Sequence, residues 1–317
     1  MSGRRRAEAA LVGVAGAWGL TFPLIREALA DVAPLHFLPL RFTTAVLAFL
    51  PVLLFFRVSP RSLTREAPAG LLLGGVAFLS YVTQTIGLRT VPAGRAAFIT
   101  GLAVVIVPLI GPLFRTGRPG PRAFLSAGIA TAGLYLLSEP ERGGLTSGDV
   151  WVLGCALSYA VYTQLLQRMT THADGSDSGR DAASLAFFQV VGLAACSLIT
   201  LPLAPAGWPA ITPAVVKAVL FCAVAATVLT FFLQARYQRH TTAPRASLIF
   251  ASEPVFAALF AYWLLGETVG PTGLAGAGLV LLAIALPQSP SGPAGDSRDA
   301  LPPTPEVPRP GSVARDS

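Results

Sequence analysis

The sequence predicts an all-α integral membrane protein of ten transmembrane helices, arranged as two inverted five-helix repeats. Three observations lead there. First, 53% of the 317 residues are hydrophobic and only 12% are charged, with a mean hydropathy of +0.63; a soluble domain carries about a quarter charged residues. Second, the apolar residues gather into stretches long enough to cross ~30 Å of hydrocarbon, which takes ~20 helical residues. Third, the chain repeats itself. At a fixed offset of 150, the windows 83–109 and 233–259 share Gln84/Gln234, Arg89/Arg239, Ala93/Ala243, Arg95/Arg245, Ala96/Ala246, Ile99/Ile249, Val105/Val255 and Leu109/Leu259. Weak internal duplication in a polytopic chain is a mark of secondary transporters.

The elements follow in order. Span one is expected over 9–27, after the basic MSGRRR start, and is read as an uncleaved helix because no small-x-small site ends it. Span two runs over 34–56 and opens on Pro34. Spans three and four take 68–88 and 91–114, and span five, 121–138, is set off by Pro119 and Pro121. Spans six to eight take 148–168, 183–204 and 213–235, with Pro202 and Pro205 marking the break after the seventh. Span nine is expected over 242–265, and a short span ten over 271–287 opens at Pro271. Residues 7–140 thus form the first repeat and 147–287 the second. The tail 288–317 is rich in Pro, Gly and Ser and is expected to be a disordered cytoplasmic segment.

Orientation follows from arginine. With the N terminus inside, the cytoplasmic segments hold fourteen arginines (Arg4, Arg5, Arg6, Arg57, Arg61, Arg65, Arg115, Arg118, Arg122, Arg168, Arg180, Arg236, Arg239 and Arg245). The outer loops and helix ends hold five cations, Arg26, Arg89, Arg95, Arg142 and Lys217. The positive-inside rule selects this arrangement, with both termini cytoplasmic. Five spans per repeat is an odd number, so the second copy enters the membrane with opposite polarity. Two antiparallel copies that can exchange conformations are the structural basis of alternating access.

Several function classes are excluded. The net charge of +7 lies in loops between apolar segments, not in a basic groove interleaved with stacking aromatics, so nucleic acid is not a partner. Cys155, Cys196 and Cys222 each sit inside an apolar run without a CxxC pair, and His36, His172 and His240 form no HExxH. No phosphate-binding loop is present. The sequence therefore calls for no cofactor, no metal and no enzymatic activity. A small-molecule substrate and membrane lipids are the expected partners, for a monomer or homodimer. Gly70/Gly74 and Gly273, Gly276 and Gly278 offer small faces for close helix packing or dimerisation.

The chain resembles the drug/metabolite transporter superfamily, with two EamA-type repeats covering nearly everything from Ala9 to Pro287. The resemblance rests on Trp18-Gly19-Leu20-Thr21-Phe22-Pro23 in span one and Arg41-Phe42 in span two. It continues with the run from Thr90 through Arg95 to Ile99 in span four. In span nine it rests on Thr242-Ala-Pro-Arg-Ala-Ser through Glu253-Pro254-Val-Phe, closing on Leu264-Leu265-Gly266-Glu267. Gly94 and Pro244 depart from the pattern, standing where hydroxyl residues are common in the family. The resemblance implies a ten-helix bundle around a central cavity lined mainly by spans one, three, four, six, eight and nine. It also implies movement of small organic solutes, often outward, across the plasma membrane.

The candidate site residues follow from position and spacing. Trp18, Thr21 and Phe22 are candidate cavity residues of span one; Trp18 and Phe22, at i,i+4, share a face that either contacts a planar substrate group or anchors helix packing. Arg41 lies seven residues past Pro34, ~10 Å into span two. It either holds a substrate carboxylate, or snorkels or pairs with Glu27 or Asp31. Tyr81 and Gln84 at i,i+3, Tyr159 with Tyr162, and Gln234 as the repeat mate of Gln84 are candidate wall residues, with interhelical bonding as the other reading. Glu253 is an acid deep inside a span and requires a partner, a proton or water. With Pro254 it is a gating or coupling candidate, or a structural carboxyl bonded to backbone that the proline frees. Its first-repeat equivalents are Ala103 and Val104, so the feature is asymmetric.

The function expected is a secondary transporter of a small organic metabolite (amino acid, amine or drug-like solute), acting by alternating access and exporting. The rivals are a membrane-embedded enzyme on lipid-linked substrates, which clustered acids or a His motif would favour, and a non-transporting scaffold or sensor, which a structured soluble domain would favour.

Overall fold

The computed structural model describes residues 3–116, 119–138, 145–171, 177–207, 209–265 and 269–286. The disordered tail expected over 288–317, and Gly266 and Glu267 of the last family motif, lie outside the described residues.

Every described element is helical apart from one isolated bridge between Thr171 and Asp177. Ten helical runs appear among the described residues. Six are long and apolar enough to cross a bilayer among the described residues: Arg5–Ala28, Pro34–Phe55, Pro60–Gly87, Ala93–Phe114, Ala182–Leu203 and Pro213–His240. Between them come Pro121–Leu137, Ser147–Thr170, the pair Ala243–Phe250 and Glu253–Leu265, and Pro271–Ala285.

Proline and hydroxyl residues set the starts. Pro34, Pro60, Pro121, Pro213 and Pro271 stand in the first turn, where the missing N–H costs nothing. Thr146 caps span six in a full capping box with Asp149, and Asp181, Thr212 and Thr242 cap the next three spans. Span three starts eight residues before its apolar stretch, because Ser59 accepts from the Ser62 N–H and Pro60 follows as first helical residue.

The repeats pack as inverted copies. Span three lies on span seven as span eight lies on span two, and spans two and seven, and five and ten, meet their own counterparts. Glycine permits the closest crossings. A side chain at Gly74 would collide with the backbone of Gln189 and Gly192 on span seven, and one at Gly276 with Gly133 on span five. Gly70 faces Leu185 and Phe188 of the same span seven. Of the two readings of these small faces, packing inside the bundle accounts for Gly70, Gly74 and Gly276.

Three spans are interrupted. Span one has a turn at Leu20, where Pro23 offers no N–H to Gly19. Spans four and nine break at equivalent places, Leu102 and Ala251–Ser252. Span eight widens to a π-helix over Val224–Leu229.

Candidate functional site

A cavity of about 50 Å³ lies at the middle of the bundle. Span one contributes Trp18 and Thr21, span two Arg41, and span three Ala77, Ser80, Tyr81 and Gln84. Thr100 comes from span four, Cys155, Tyr159 and Tyr162 from span six, Phe231 and Gln234 from span eight, and Glu253 from span nine. Both repeats therefore supply its wall. It holds a few waters at most, since one water needs roughly 10–15 Å³ measured this way.

The aromatic wall is interlocked. The Trp18 ring meets Tyr159 edge-on at 5.7 Å and Phe250 at 5.3 Å, and Tyr159 continues to Tyr162 at 5.9 Å. Tyr162 donates to Gln189 Oε1 at 2.8 Å, which anchors it to span seven. The π-helical stretch of span eight is a meeting point of the two repeats. The Ala226 carbonyl accepts from Trp18 Nε1 and from Arg41 Nη2, both at 3.2 Å.

Arg41 is only 1% exposed. Its Nε and Nη2 donate to Thr227 Oγ1 at 3.2 and 3.1 Å, and its guanidinium carbon lies 4.6 Å from the Tyr81 ring centre and 5.3 Å from that of Phe42. It neither snorkels nor pairs with Glu27 or Asp31. Those acids face the far rim, Glu27 bound to Lys217 at 3.0 Å and Asp31 accepting from Thr212 at 2.7 Å. The helix direction carries Arg41 inward, where the Thr227 hydroxyl and the Ala226 carbonyl of span eight receive it.

The amides form a chain toward one end. Gln84 Nε2 donates to Thr100 Oγ1 at 3.2 Å within the first repeat. Gln234 Nε2 donates to Tyr159 Oη at 3.3 Å and to Gln238 Oε1 at 2.8 Å, and Gln238 Nε2 reaches the Thr163 carbonyl at 3.0 Å. Beyond them Gln164 Nε2 donates to the Val107 carbonyl at 2.6 Å, and Gln167 Nε2 to Thr241 O at 3.1 Å. These bonds tie spans four, six, eight and nine together at the end where span one begins, called proximal here. The sequence reading passed over Gln164, Gln167 and Gln238; amides recurring in an apolar helix were the signal. It also passed over Ser80, Thr100, Cys155 and Phe231, whose residue types are common in any membrane helix.

A second, larger cavity of about 690 Å³ opens toward the distal end. Phe22, Pro23, Ala97, Phe98, Pro254, Ala257 and Ala258 line it, with Arg26 and Glu27 among its polar residues. Phe22 and Pro254 thus stand apart from the central group. Trp18 and Phe22, one helical turn apart on either side of Leu20, line different cavities. Thr21 faces the central cavity and Phe22 the distal one; Glu253 and Pro254 divide in the same way. Span one comes against span nine here, where a Cβ on Gly19 would sit 2.7 Å from the Glu253 carbonyl oxygen. No described residue hydrogen-bonds the Glu253 carboxyl.

The sequence matches the EamA-like transporter family over residues 5–139 and again over 146–287. The chain belongs to this family. A protein of Archaeoglobus fulgidus named as an uncharacterized transporter is 31% identical over 283 residues, covering 89% of this chain and 85% of its own. An uncharacterized transporter of Bacillus subtilis, YdfC, is 28% identical over 151 residues, covering 46% of this chain and 49% of its own. A crystal structure titled only as that of a protein superposes with a TM-score of 0.73 at 17% identity, covering 89% of this chain and 96% of the other, and shares the fold. The chain is a multi-pass membrane transporter.

Two ion pairs also join the two EamA repeats. Glu8 lies early in the first helix of the first repeat and Asp149 early in the first helix of the second. Arg95 Nη2 lies 2.7 Å from Asp149 Oδ2 at the distal end, and Arg245 Nε lies 3.1 Å from Glu8 Oε1 at the proximal end. Arg95 and Arg245 are themselves repeat mates.

Proposed function

We propose that this transporter is a secondary carrier that exports a small organic metabolite across the plasma membrane by alternating access, with both termini cytoplasmic. One observation carries the reading. A mixed aromatic and polar cavity is walled by both inverted repeats. Solute sites in carriers lie at such repeat interfaces. At about 50 Å³ the cavity is far below the ~300–1,000 Å³ of a small-molecule site, so loading a solute requires its walls to move apart.

The wall suggests how a solute is held. Trp18, Tyr159 and Tyr162 offer planar faces for an amino acid, amine or drug-like body. Thr21, Arg41, Tyr81, Gln84 and Gln234 offer polar contacts, and Phe22 lines the distal route. Glu253 and Pro254, placed where the central and distal cavities adjoin, act as gate and coupling element. The breaks at Leu102 and at Ala251–Ser252 are the hinges on which the two repeats move. The arginine bias supports the orientation, and export follows the family resemblance alone.

The test is retention in proteoliposomes. Vesicles are loaded with a mixture of amino acids, amines and nucleobases, and what remains is followed by mass spectrometry with and without a pH gradient. Selective loss of one class, absent from protein-free vesicles, is expected. Equal retention of every compound in both preparations would defeat the carrier reading.

A further inference from the structure

Arg41 carries a full charge into the cavity without an anion to match it. It lies in the helix core at 1% exposure, and no carboxylate oxygen of any described residue comes within 4 Å of it. Glu253 lines the same cavity without reaching that distance. The partners Arg41 does have, the Thr227 hydroxyl, the Ala226 carbonyl and the faces of Tyr81 and Phe42, are dipoles and π clouds that orient a cation without neutralising it. They also use only part of the guanidinium, whose Nε and Nη2 are bonded while Nη1 makes no bond to a described residue. A charge so deep in a bilayer is costly, and a bound anion would lower that cost.

A second unused donor belongs to the same cavity. Ser80, on span three, is 5% exposed, and its hydroxyl has no hydrogen-bond partner. A buried hydroxyl left unpaired costs free energy until a ligand or water pairs it. The other polar wall groups are largely committed: Trp18 Nε1 to Ala226, Gln84 Nε2 to Thr100, Gln234 Nε2 to Gln238. Arg41 Nη1 and the Ser80 hydroxyl are thus unspent donors of this cavity, beside the hydroxyls of Tyr81 and Tyr159, for which no acceptor is found among the described residues.

We propose that Arg41, with Ser80, selects solutes bearing a carboxylate, docked on the free edge of the guanidinium with the solute body against the aromatic wall. A carboxylate oxygen can accept from the free Nη1 of a guanidinium held in one orientation, as Thr227 and Tyr81 hold this one. Organic cations without a carboxylate are turned away by the same charge. The proposal rests on the carrier reading above and narrows its substrate class.

The test uses the full chain in detergent and a panel of aliphatic, aromatic and amino carboxylates, each paired with its own carboxamide. Binding is read by thermal shift, which rises with occupancy of the folded state. The carboxylate of a pair is expected to raise the melting temperature where its carboxamide does not. Arg41→Gln should weaken that binding about tenfold or more, and Arg41→Lys should restore part of it. Carboxamides binding as well as carboxylates, or no carboxylate binding at all, would overturn the proposal with the wild-type protein alone, even if Arg41→Gln fails to fold. A folded Arg41→Gln that binds carboxylates unchanged would overturn it too and leave Arg41 as a brace between spans two and eight. The vesicle assay is read separately, so export of non-carboxylates would defeat this proposal and leave the carrier standing.

Discussion

Arg95 and Arg245 occupy the same place in the two repeats and hold an acid at opposite ends of the bundle, Asp149 and Glu8. Each acid lies near the start of the first helix of a repeat, and each arginine near the start of the fourth. The inversion of the repeats places one such interaction at each end of the bundle, and the proposed carrier mechanism makes the two pairs its latches.

Removing one latch should open one side. In a Cys196→Ser, Cys222→Ser background, Cys155 on the cavity wall reports access to an impermeant maleimide. Arg95→Ala should raise labelling from the distal face, and Arg245→Ala from the proximal face. A loss of 1–2 kcal/mol corresponds to roughly 5- to 30-fold in population. Faster labelling from the same face in both variants would contradict the assignment.

Trp18→Phe tests the shared carbonyl. It keeps an aromatic face toward Tyr159 and Phe250 but gives up the bond to Ala226 O, which still accepts from Arg41. The stability cost should be small, about 0.6 kcal/mol as for an average interhelical bond in a membrane. Trp18→Ala, which also empties the ring volume, should cost about 3–5 kcal/mol. Chemical denaturation in mixed micelles compares the two; equal losses would mean the ring contributes little.

Glu253→Gln removes an ionisable carboxyl without removing any described hydrogen bond. The variant should therefore fold with little change in melting temperature. If Glu253 couples transport to protons, the variant's flux should lose its dependence on a pH gradient and its turnover should fall. Flux that keeps the wild-type pH response would place coupling elsewhere.

The loop between spans six and seven responds to acid. Burial pushes the Asp177 carboxyl up, but hydrogen bonds from the Arg239 guanidinium and the Gly179 N–H, with the Arg239 charge, outweigh it and hold it below the usual carboxylate value. A depressed folded value means a stabilisation that is complete above the unfolded value of about 3.9 and lost as pH falls through the folded one. Asp177→Asn should lower stability slightly at pH 7, by less than about 1 kcal/mol for so exposed a carboxylate. Its deficit relative to wild type should shrink toward pH 3. Melting curves between pH 3 and 7 check the sign.

Gly74→Leu should fail where span three crosses span seven. The added side chain meets the backbone of Gln189 and Gly192, which cannot rotate away. Overpacking of this kind costs about 1–3 kcal/mol, seen as a lower melting temperature or aggregation on size exclusion. At Gly75, whose nearest neighbour is the Cys196 sulfur at 4.0 Å, the same change should be tolerated.

The spans were legible because hydropathy and helix-starting prolines act over twenty residues at a time. Pro34, Pro121, Pro213 and Pro271 each opened a helix where expected. The residues around the central cavity were legible in kind, as aromatic, amide and charged side chains inside apolar helices. Three features were not. The turn at Leu20, between Trp18 and Phe22, depends on how Pro23 and the neighbouring span nine settle a local hydrogen-bond gap. The π-helix over Val224–Leu229 has no hydropathy signature, since adding a residue to a turn leaves the composition unchanged. One partner of Arg41 was hidden as well: it is a backbone carbonyl 185 residues away.

The π-helix gives the two repeats unequal characters. A stretch of π geometry carries one residue more than a regular helix of its length, and its return to α geometry would shift the following turns by about 100°. No matching segment interrupts span three, Pro60–Gly87. The machine is therefore symmetric in plan but lopsided in its springs, with one wound segment, in the second repeat, clasped by Trp18 and Arg41 from the first. If the repeats exchange roles as proposed, the two conformations they reach are not equivalent, and one side is preferred even before a gradient or a solute acts.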